Sequence, residues 1–234
     1  MPNRNLTKSV ILGAGVLVVT AQLSIATSEA ALSTPPYLPA ISPTDVDVGS
    51  PLLVAAEPFE ALTEMAYSVP GLRLDSAIAT ADEAAKRARG SLPQASAAQL
   101  DARLAEVRQA YKSDDRAALA ISSVEAYRIL VSAARPGKVP TAVKLLDYAG
   151  LRYDADFQAM PIRWPDMKEA AAYAHAQWSS ISDEITDAAL RERVDAAVAD
   201  MGLGAEEQNT FMARRSVTAA LELVDELEGY FTNR

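Results

Sequence analysis

The sequence predicts an all-α protein: an antiparallel bundle of four or more long helices with left-handed a/d seams, preceded by a proline-rich extended segment. Half of the 234 residues are hydrophobic, but only 6% are aromatic. Much of the apolar content is alanine, the residue with the highest intrinsic helix propensity. After residue 70, apolar residues recur at alternating steps of three and four, and strand-like runs are nearly absent.

The N-terminal thirty residues have the parts of a secretory signal peptide. Arg4 and Lys8 precede an apolar stretch at 10–26, and the small residues in Ser-Glu-Ala at 28–30 offer a cleavage site. We therefore expect residues 1–30 to be removed and the mature protein to be periplasmic or secreted. The alternative is an uncleaved membrane anchor, which the short apolar run disfavours. If the peptide is cleaved, the mature chain does not span a membrane.

Residues 31–58 are predicted to be a proline-rich linker. Six prolines fall in this stretch and the apolar residues follow no steady period. Proline removes a backbone donor and biases the residue before it away from the helical region. The sequence therefore predicts an extended segment here, followed by a helical bundle domain at 59–234.

Apolar stripes predict the helices of that domain. They lie within residues 74–92, 97–111, 120–134, 167–185, 190–201 and 213–231. Acidic residues that suit N-caps or first turns are Asp75, Asp114, Asp166 and Asp187. Glycine and proline clusters at 90–93, 135–137 and 202–204 are expected to separate helices. The short connection at 112–113 predicts an antiparallel hairpin.

The segment 138–165 departs from this pattern. It begins as a helix and is then expected to become irregular, because Gly150, Pro161 and Pro165 interrupt it. It also concentrates aromatic residues in a chain that has few of them. We take four of these as a candidate surface for a ligand or partner: Tyr148, Tyr153, Phe157 and Trp164. The alternative is that the segment closes one end of the bundle.

His175 is the single histidine of the chain and falls at the edge of its seam. Its helical neighbours three and four residues away are Ala171, Ala172, Trp178 and Ser179, none of them a strong metal ligand. A packed or surface imidazole is therefore the favoured interpretation. A metal site would have to recruit carboxylates from elsewhere, with Glu125, Asp154 and Asp156 as candidates.

Glu125 has a simpler interpretation as well, an ion pair with Arg128 three residues on. The acids Asp147, Asp154 and Asp156 could bind calcium, but no complete coordination pattern is present. Non-covalent haem between His175 and a methionine is a further alternative. The absence of cysteine excludes disulfides, thiolate zinc sites, iron–sulfur clusters and covalently attached haem. We expect no cofactor, with a metal or haem as the alternative.

Composition and motifs narrow the function class. The net charge of −9 disfavours nucleic acid as a partner. No nucleophile elbow, phosphate-binding glycine loop or other catalytic motif is present, so we do not expect an enzyme. The sequence favours an exported helical-bundle protein that binds a protein partner or a small ligand in the cell envelope. The alternative is a periplasmic metal- or haem-binding bundle that uses His175 with carboxylate or methionine ligands.

Overall fold

The computed structural model describes residues 50–234, and within them it contains eight α-helices and no β-strand. In chain order the helices are α1 (Pro51–Met65), α2 (Gly71–Ala88), α3 (Gln94–Lys112), α4 (Arg116–Ala133), α5 (Thr141–Gln158), α6 (Trp164–Ile181), α7 (Ala188–Glu206) and α8 (Thr210–Thr232). The predicted all-α class is confirmed. The predicted signal peptide and most of the predicted linker lie outside the described residues.

The eight helices pack as two rings of four. In the first ring α1 contacts α2 and α4, and α3 contacts α4 and, more sparsely, α2. In the second ring α5 contacts α6 and α8, and α7 contacts the same two helices. The rings are joined mainly by the contact between α4 and α5, with a smaller contribution from α1 and α5. The predicted single bundle is therefore a pair of adjoining four-helix rings.

Contacts between α5 and α8 of the second ring show that these two neighbours run antiparallel. Near one end of the α5–α8 pair, Lys144 forms an ion pair with Glu228. Towards the other end, the guanidinium of Arg214 lies 4.8 Å from the centre of the Phe157 ring. The residue number rises along α5 as it falls along α8. As a consequence, the α5–α6 and α7–α8 connections lie at the same end of the ring.

The predicted stripes form the cores of both rings. Every stripe residue is buried or half-buried, and none is exposed. The half-buried ones lie at helix ends or on ring surfaces: Leu92, Ala97, Tyr111, Ala134 and Ala220. The steps of three and four thus place one side of each helix against its neighbours. The left-handed sense of the packing stays a prediction.

The first helix begins before residue 59, the predicted start of the helical domain. α1 starts at Pro51, so residues 51–58 of the predicted linker are helical. A proline in the first turn is compatible with a helix, because the amide it lacks would have no intrahelical partner there. Leu52, Phe59 and Leu62 then bury one side of α1 against the core.

The expectation of an irregular segment after Leu146 is wrong. α5 continues as one helix to Gln158, and only the short connection at 159–163 is non-helical. Gly150 does not end the helix, because it marks a close approach to α8. A Cβ placed on residue 150 would lie 2.7 Å from Cδ2 of Leu221.

The glycines at 202–204 likewise lie inside α7 rather than after it, which corrects their interpretation as a helix break. The helix ends at Glu206, and Gln208, with a φ of 52°, makes the turn. Of the four acids predicted for N-caps or first turns, Asp187 caps α7, where it accepts hydrogen bonds from the Ala189 and Leu190 amides.

Asp166 lies in the first turn of α6, as predicted. The other two acids differ from their predicted role, and Asp75 lies inside α2. At the start of α4 the cap is Asp115 rather than Asp114, because Asp114 takes a φ of 52° in the turn. The Asp115 carboxylate accepts a hydrogen bond of 2.9 Å from the Ala118 amide.

Candidate functional site

The four aromatic residues proposed as a contact surface are placed in and beside α5. Tyr148, Tyr153 and Phe157 are buried, and Trp164, the first residue of α6, is half-buried. The Tyr153 hydroxyl donates a 3.0 Å hydrogen bond to the carbonyl of Met201. Phe157 and Trp164 meet edge to face, with ring centres 6.4 Å apart. These side chains join helices of the second ring, and little of their surface is left for a partner.

Glu125, one of the candidate metal ligands, is the centre of a buried hydrogen-bond network between α4 and α5. Its Oε1 accepts hydrogen bonds from Tyr148 and from Nη1 of Arg152, both at 2.7 Å. Its Oε2 accepts from Arg128 at 3.0 Å, which is the ion pair that the sequence predicts. Burial alone would raise the pKa of Glu125, but the Tyr148 hydrogen bond and the two guanidiniums outweigh it, so the pKa is lowered.

Asp156 continues this network towards the start of α6. Its Oδ2 accepts a 2.8 Å hydrogen bond from Nε of Arg152, and its Oδ1 lies 3.6 Å from Nε of Arg163. Arg163 also donates to Asp166 at 2.9 Å. Arginine and carboxylate charges therefore alternate through the network. Such compensation favours a structural role, the joining of α4, α5 and α6, over a vacant ligand site.

The remaining two candidate ligands lie apart from this network. His175 is exposed on α6. Asp154 is half-buried and accepts a 2.5 Å hydrogen bond from Gln158, beside a cleft of about 160 Å³ between α1, α5 and α8. In residues 50–234 no group of three or more histidine, cysteine, aspartate or glutamate side chains is arranged to hold a metal ion. The structure thus brings Glu125 and Asp156 together but leaves His175 separate from them.

A second polar cluster, which the sequence does not predict, lies where the two rings meet. The Tyr127 hydroxyl donates a 2.9 Å hydrogen bond to Oδ2 of the buried Asp147. Burial, followed by the negative charge of Glu60, raises the pKa of Asp147 to about 8. Burial also raises the pKa of Glu60 to about 7, against the opposing charge of Lys144. Near neutral pH this cluster therefore holds protons that exposed carboxylates would have lost.

The strongest candidate for an interaction site is a set of exposed apolar side chains at one end of the second ring, which we call the apolar end. It consists of Met160, in the α5–α6 connection, Leu203, in the last turns of α7, and Phe211, in the first turn of α8. Their exposed fractions are 93%, 51% and 76%. The packing of Arg214 on Phe157 and the approach of Gly204 to Ala213 hold these connections at the same end of the ring.

The apolar end accounts for most of the exposed large hydrophobic side chains in the described part of the chain. Among residues 50–71 and 73–234 a single further large hydrophobic, Val54, is exposed, at 54%. It lies in the first turn of α1, and its neighbour Leu52 lines a cleft with the α4–α5 connection, at the end where α5 begins. Exposed apolar residues that cluster are typical of interaction surfaces, whereas single ones are common on any protein.

The apolar end was not predicted from the sequence, although part of the signal was present there. Leu203 and Phe211 both fall outside the seams at 190–201 and 213–231, so an off-seam position was visible for each. Met160 lies within the segment 138–165, but the candidate surface predicted there consists of the more numerous aromatic residues. The predicted segment therefore does contribute to the apolar end, but through the exposed Met160 in the α5–α6 connection and not through the predicted aromatics.

In residues 50–234 no helix combines the length and the apolar character needed to cross a lipid bilayer. Comparisons of the chain with protein-family models, curated proteins and solved structures found no significant match to any of them.

Proposed function

We propose that this chain is an exported, non-enzymatic helical protein of the cell envelope that binds another protein through the apolar end. The observation that carries the proposal is the exposure of Met160 and Phe211 at one end of the second ring, at 93% and 76%. Burial of such side chains against an apolar partner lowers the free energy by ~25 cal/mol for each Å² of apolar surface removed from water. Their grouping at one end supports a single contact surface.

A protein partner suits this surface better than a small ligand does. Small-molecule pockets are concave and bury most of the surface of the ligand. The apolar void between α5, α6, α7 and α8, bounded by residues such as Leu146 and Val198, measures about 10 Å³. The interior of this ring is therefore closely packed at this point, which supports a contact on the surface over a ligand held inside the ring. Met160, by contrast, is nearly fully exposed at the tip of its connection.

Export is part of the proposal and rests on the N-terminal sequence. The basic residues, the apolar stretch at 10–26 and the small residues at 28–30 support cleavage near residue 30. The intact mass of the protein recovered from the producing cell tests this directly. A chain shortened by ~30 residues, as a signal peptide requires, supports export, and a full-length chain contradicts it.

The binding surface is tested by affinity purification of the tagged protein from the cells that produce it. We expect a partner to co-purify in a fixed ratio with the wild-type chain and to be lost when Met160, Leu203 and Phe211 are all replaced by glutamate. The matched control is Val54→Glu, which makes the same kind of change at an exposed apolar residue elsewhere. Circular dichroism checks that both variants stay helical.

Two results would contradict the proposal. One is undiminished recovery of the same partner by the triple variant, which would place the contact elsewhere. The other is the absence of any stoichiometric partner in wild-type and Val54→Glu preparations, which would remove the binding function itself.

A further inference from the structure

The outer side of α8 carries a shallow groove that the apolar end does not explain. Six residues line it, and we call it the α8 groove: Phe211, Arg214, Arg215, Thr218, Ala219 and Glu222. Its volume is about 400 Å³. It adjoins a second groove of about 400 Å³ between α7 and α8, with which it shares Arg215, Ala219 and Glu222.

The order of residues along the α8 groove is basic, small, then acidic. Arg214 and Arg215 come first, Thr218 and Ala219 occupy the middle, and Glu222 follows one turn later. Small residues at the centre allow the axis of another helix to approach closely. Charges of opposite sign on the two sides of that centre favour a partner whose charges run in the reverse order.

A second copy of the same helix, turned end for end, has that reverse order. A two-fold axis that passes between Thr218 and Ala219 places Arg215 of each copy opposite Glu222 of the other. Two-fold interfaces bring the same patch of both subunits together, so each favourable pair occurs twice. Both arginines of the groove are exposed, as is Glu222, so their side chains are accessible to a second molecule.

The local charges permit this contact although the whole chain is acidic. Arg215 already forms an ion pair of 2.8 Å with Asp200 on α7. The positive charges of Arg214 and Arg215 are therefore matched by the negative charges of Asp200 and Glu222. Two copies can therefore approach at this site without the repulsion that a net charge of −9 predicts for most of the surface.

We propose that the chain forms a two-fold symmetric dimer in which the α8 helices pack antiparallel across the α8 groove, with Arg215 of each copy facing Glu222 of the other. Phe211 stands at the outer end of the groove, about two turns from the axis. Each dimer thus carries two apolar ends on opposite sides. Two linked surfaces of this kind bind a repeated or clustered partner more tightly than one does.

Charge reversal tests the proposed pairing and its register. Arg215→Glu makes the groove acidic and Glu222→Arg makes it basic, so each variant alone should lose the dimer, with a dissociation constant raised at least about tenfold. An equimolar mixture of the two variants should restore a dimer, because each copy then meets opposite charges at both pairs. The double variant Arg215→Glu/Glu222→Arg should dimerise by itself.

Sedimentation equilibrium of the purified chain measures each of these states, and circular dichroism confirms that the variants fold. Lys86→Glu, which makes the same charge change on the exposed side of α2, is the control and should remain dimeric. A monomeric wild-type chain at tens of micromolar would overturn the proposal, as would dimeric single variants. A mixture that stays monomeric would overturn the register. The measurement contains no other protein, so its failure leaves the proposed binding function untouched.

Discussion

Gly204 of α7 lies so close to Ala213 of α8 that a Cβ on residue 204 would come within 2.9 Å of the Ala213 backbone nitrogen. Both residues are buried, at the end of the ring where the apolar end lies. Since backbone atoms cannot move aside as a flexible side chain can, this contact sets the spacing of the two helices there. It also explains why a residue that disfavours helices occurs within α7.

The first prediction compares Gly204 with Gly202 in the same helix. Gly204→Ala should lower the free energy of unfolding by about 1 to 2 kcal/mol, because overpacking against backbone outweighs the gain in helix propensity. Gly202→Ala should raise it by about 0.5 to 1 kcal/mol, since nothing lies within 4 Å of a Cβ at that position. Urea denaturation measures both changes. Equal effects of the two substitutions would contradict the proposed close approach.

The second prediction concerns Arg152, which joins Glu125 to Asp156. Arg152→Met should lower the free energy of unfolding by about 3 kcal/mol, because two buried carboxylates lose their shared guanidinium. Lowering the pH to about 4 should recover part of the loss, since protonation removes the uncompensated charges. The control is Arg193→Met, which breaks an exposed pair with Glu226 and should leave the free energy of unfolding nearly unchanged.

The third prediction concerns the pH dependence that Asp147 imposes. The pKa of this carboxyl is raised to about 8 in the folded protein, by burial first and by the charge of Glu60 second. Between the ordinary pKa near 4 and this value, the folded state binds the proton more tightly than the unfolded state does. The contribution of Asp147 to stability is therefore full below pH 4 and is lost as the pH rises towards 8.

Asp147→Asn should flatten that decline, because the amide keeps an acceptor for the Tyr127 hydroxyl but does not ionise. Chemical denaturation at a series of pH values between 4 and 9 measures the slope. The slopes of the two curves should differ between pH 4 and about 8, where the folded state holds the proton and the unfolded state does not. A slope that is unchanged in Asp147→Asn would show that this group is not protonated in the folded protein.

The fourth prediction concerns His175, which is exposed on α6. His175→Ala should change the free energy of unfolding by no more than about 0.5 kcal/mol, as is usual for exposed residues. Copper, zinc or iron added to the wild-type chain should leave its Tm where it is. A Tm that rises with one of these metals in the wild type and stays constant in His175→Ala would revive the metal-binding alternative.

The spacing of apolar residues predicted the helical class and the buried sides of the helices, because helix burial follows a local periodicity. Local propensity misled at Gly150 and Gly204, which tertiary contacts with α8 place inside helices. It also misled after Leu146, where α5 continues as one helix to Gln158.

The site was harder to predict than the fold. The proximity of Glu60 to Asp147 depends on which helices become neighbours, and no local pattern encodes that. The exposure of Met160 likewise follows from where α5 ends and α6 begins. By contrast, Glu125 and Arg128 lie three residues apart on one helix, and the sequence was sufficient to predict their ion pair.

The most direct test of the proposed function is site-specific photo-crosslinking in the producing cell. With p-benzoylphenylalanine in place of Met160, irradiation should yield one discrete adduct whose mass is that of this chain plus a different protein. The same amino acid in place of Val54 should yield no such adduct. If position 160 gives no adduct, or if both positions give the same one, the apolar end is not the surface through which this protein binds.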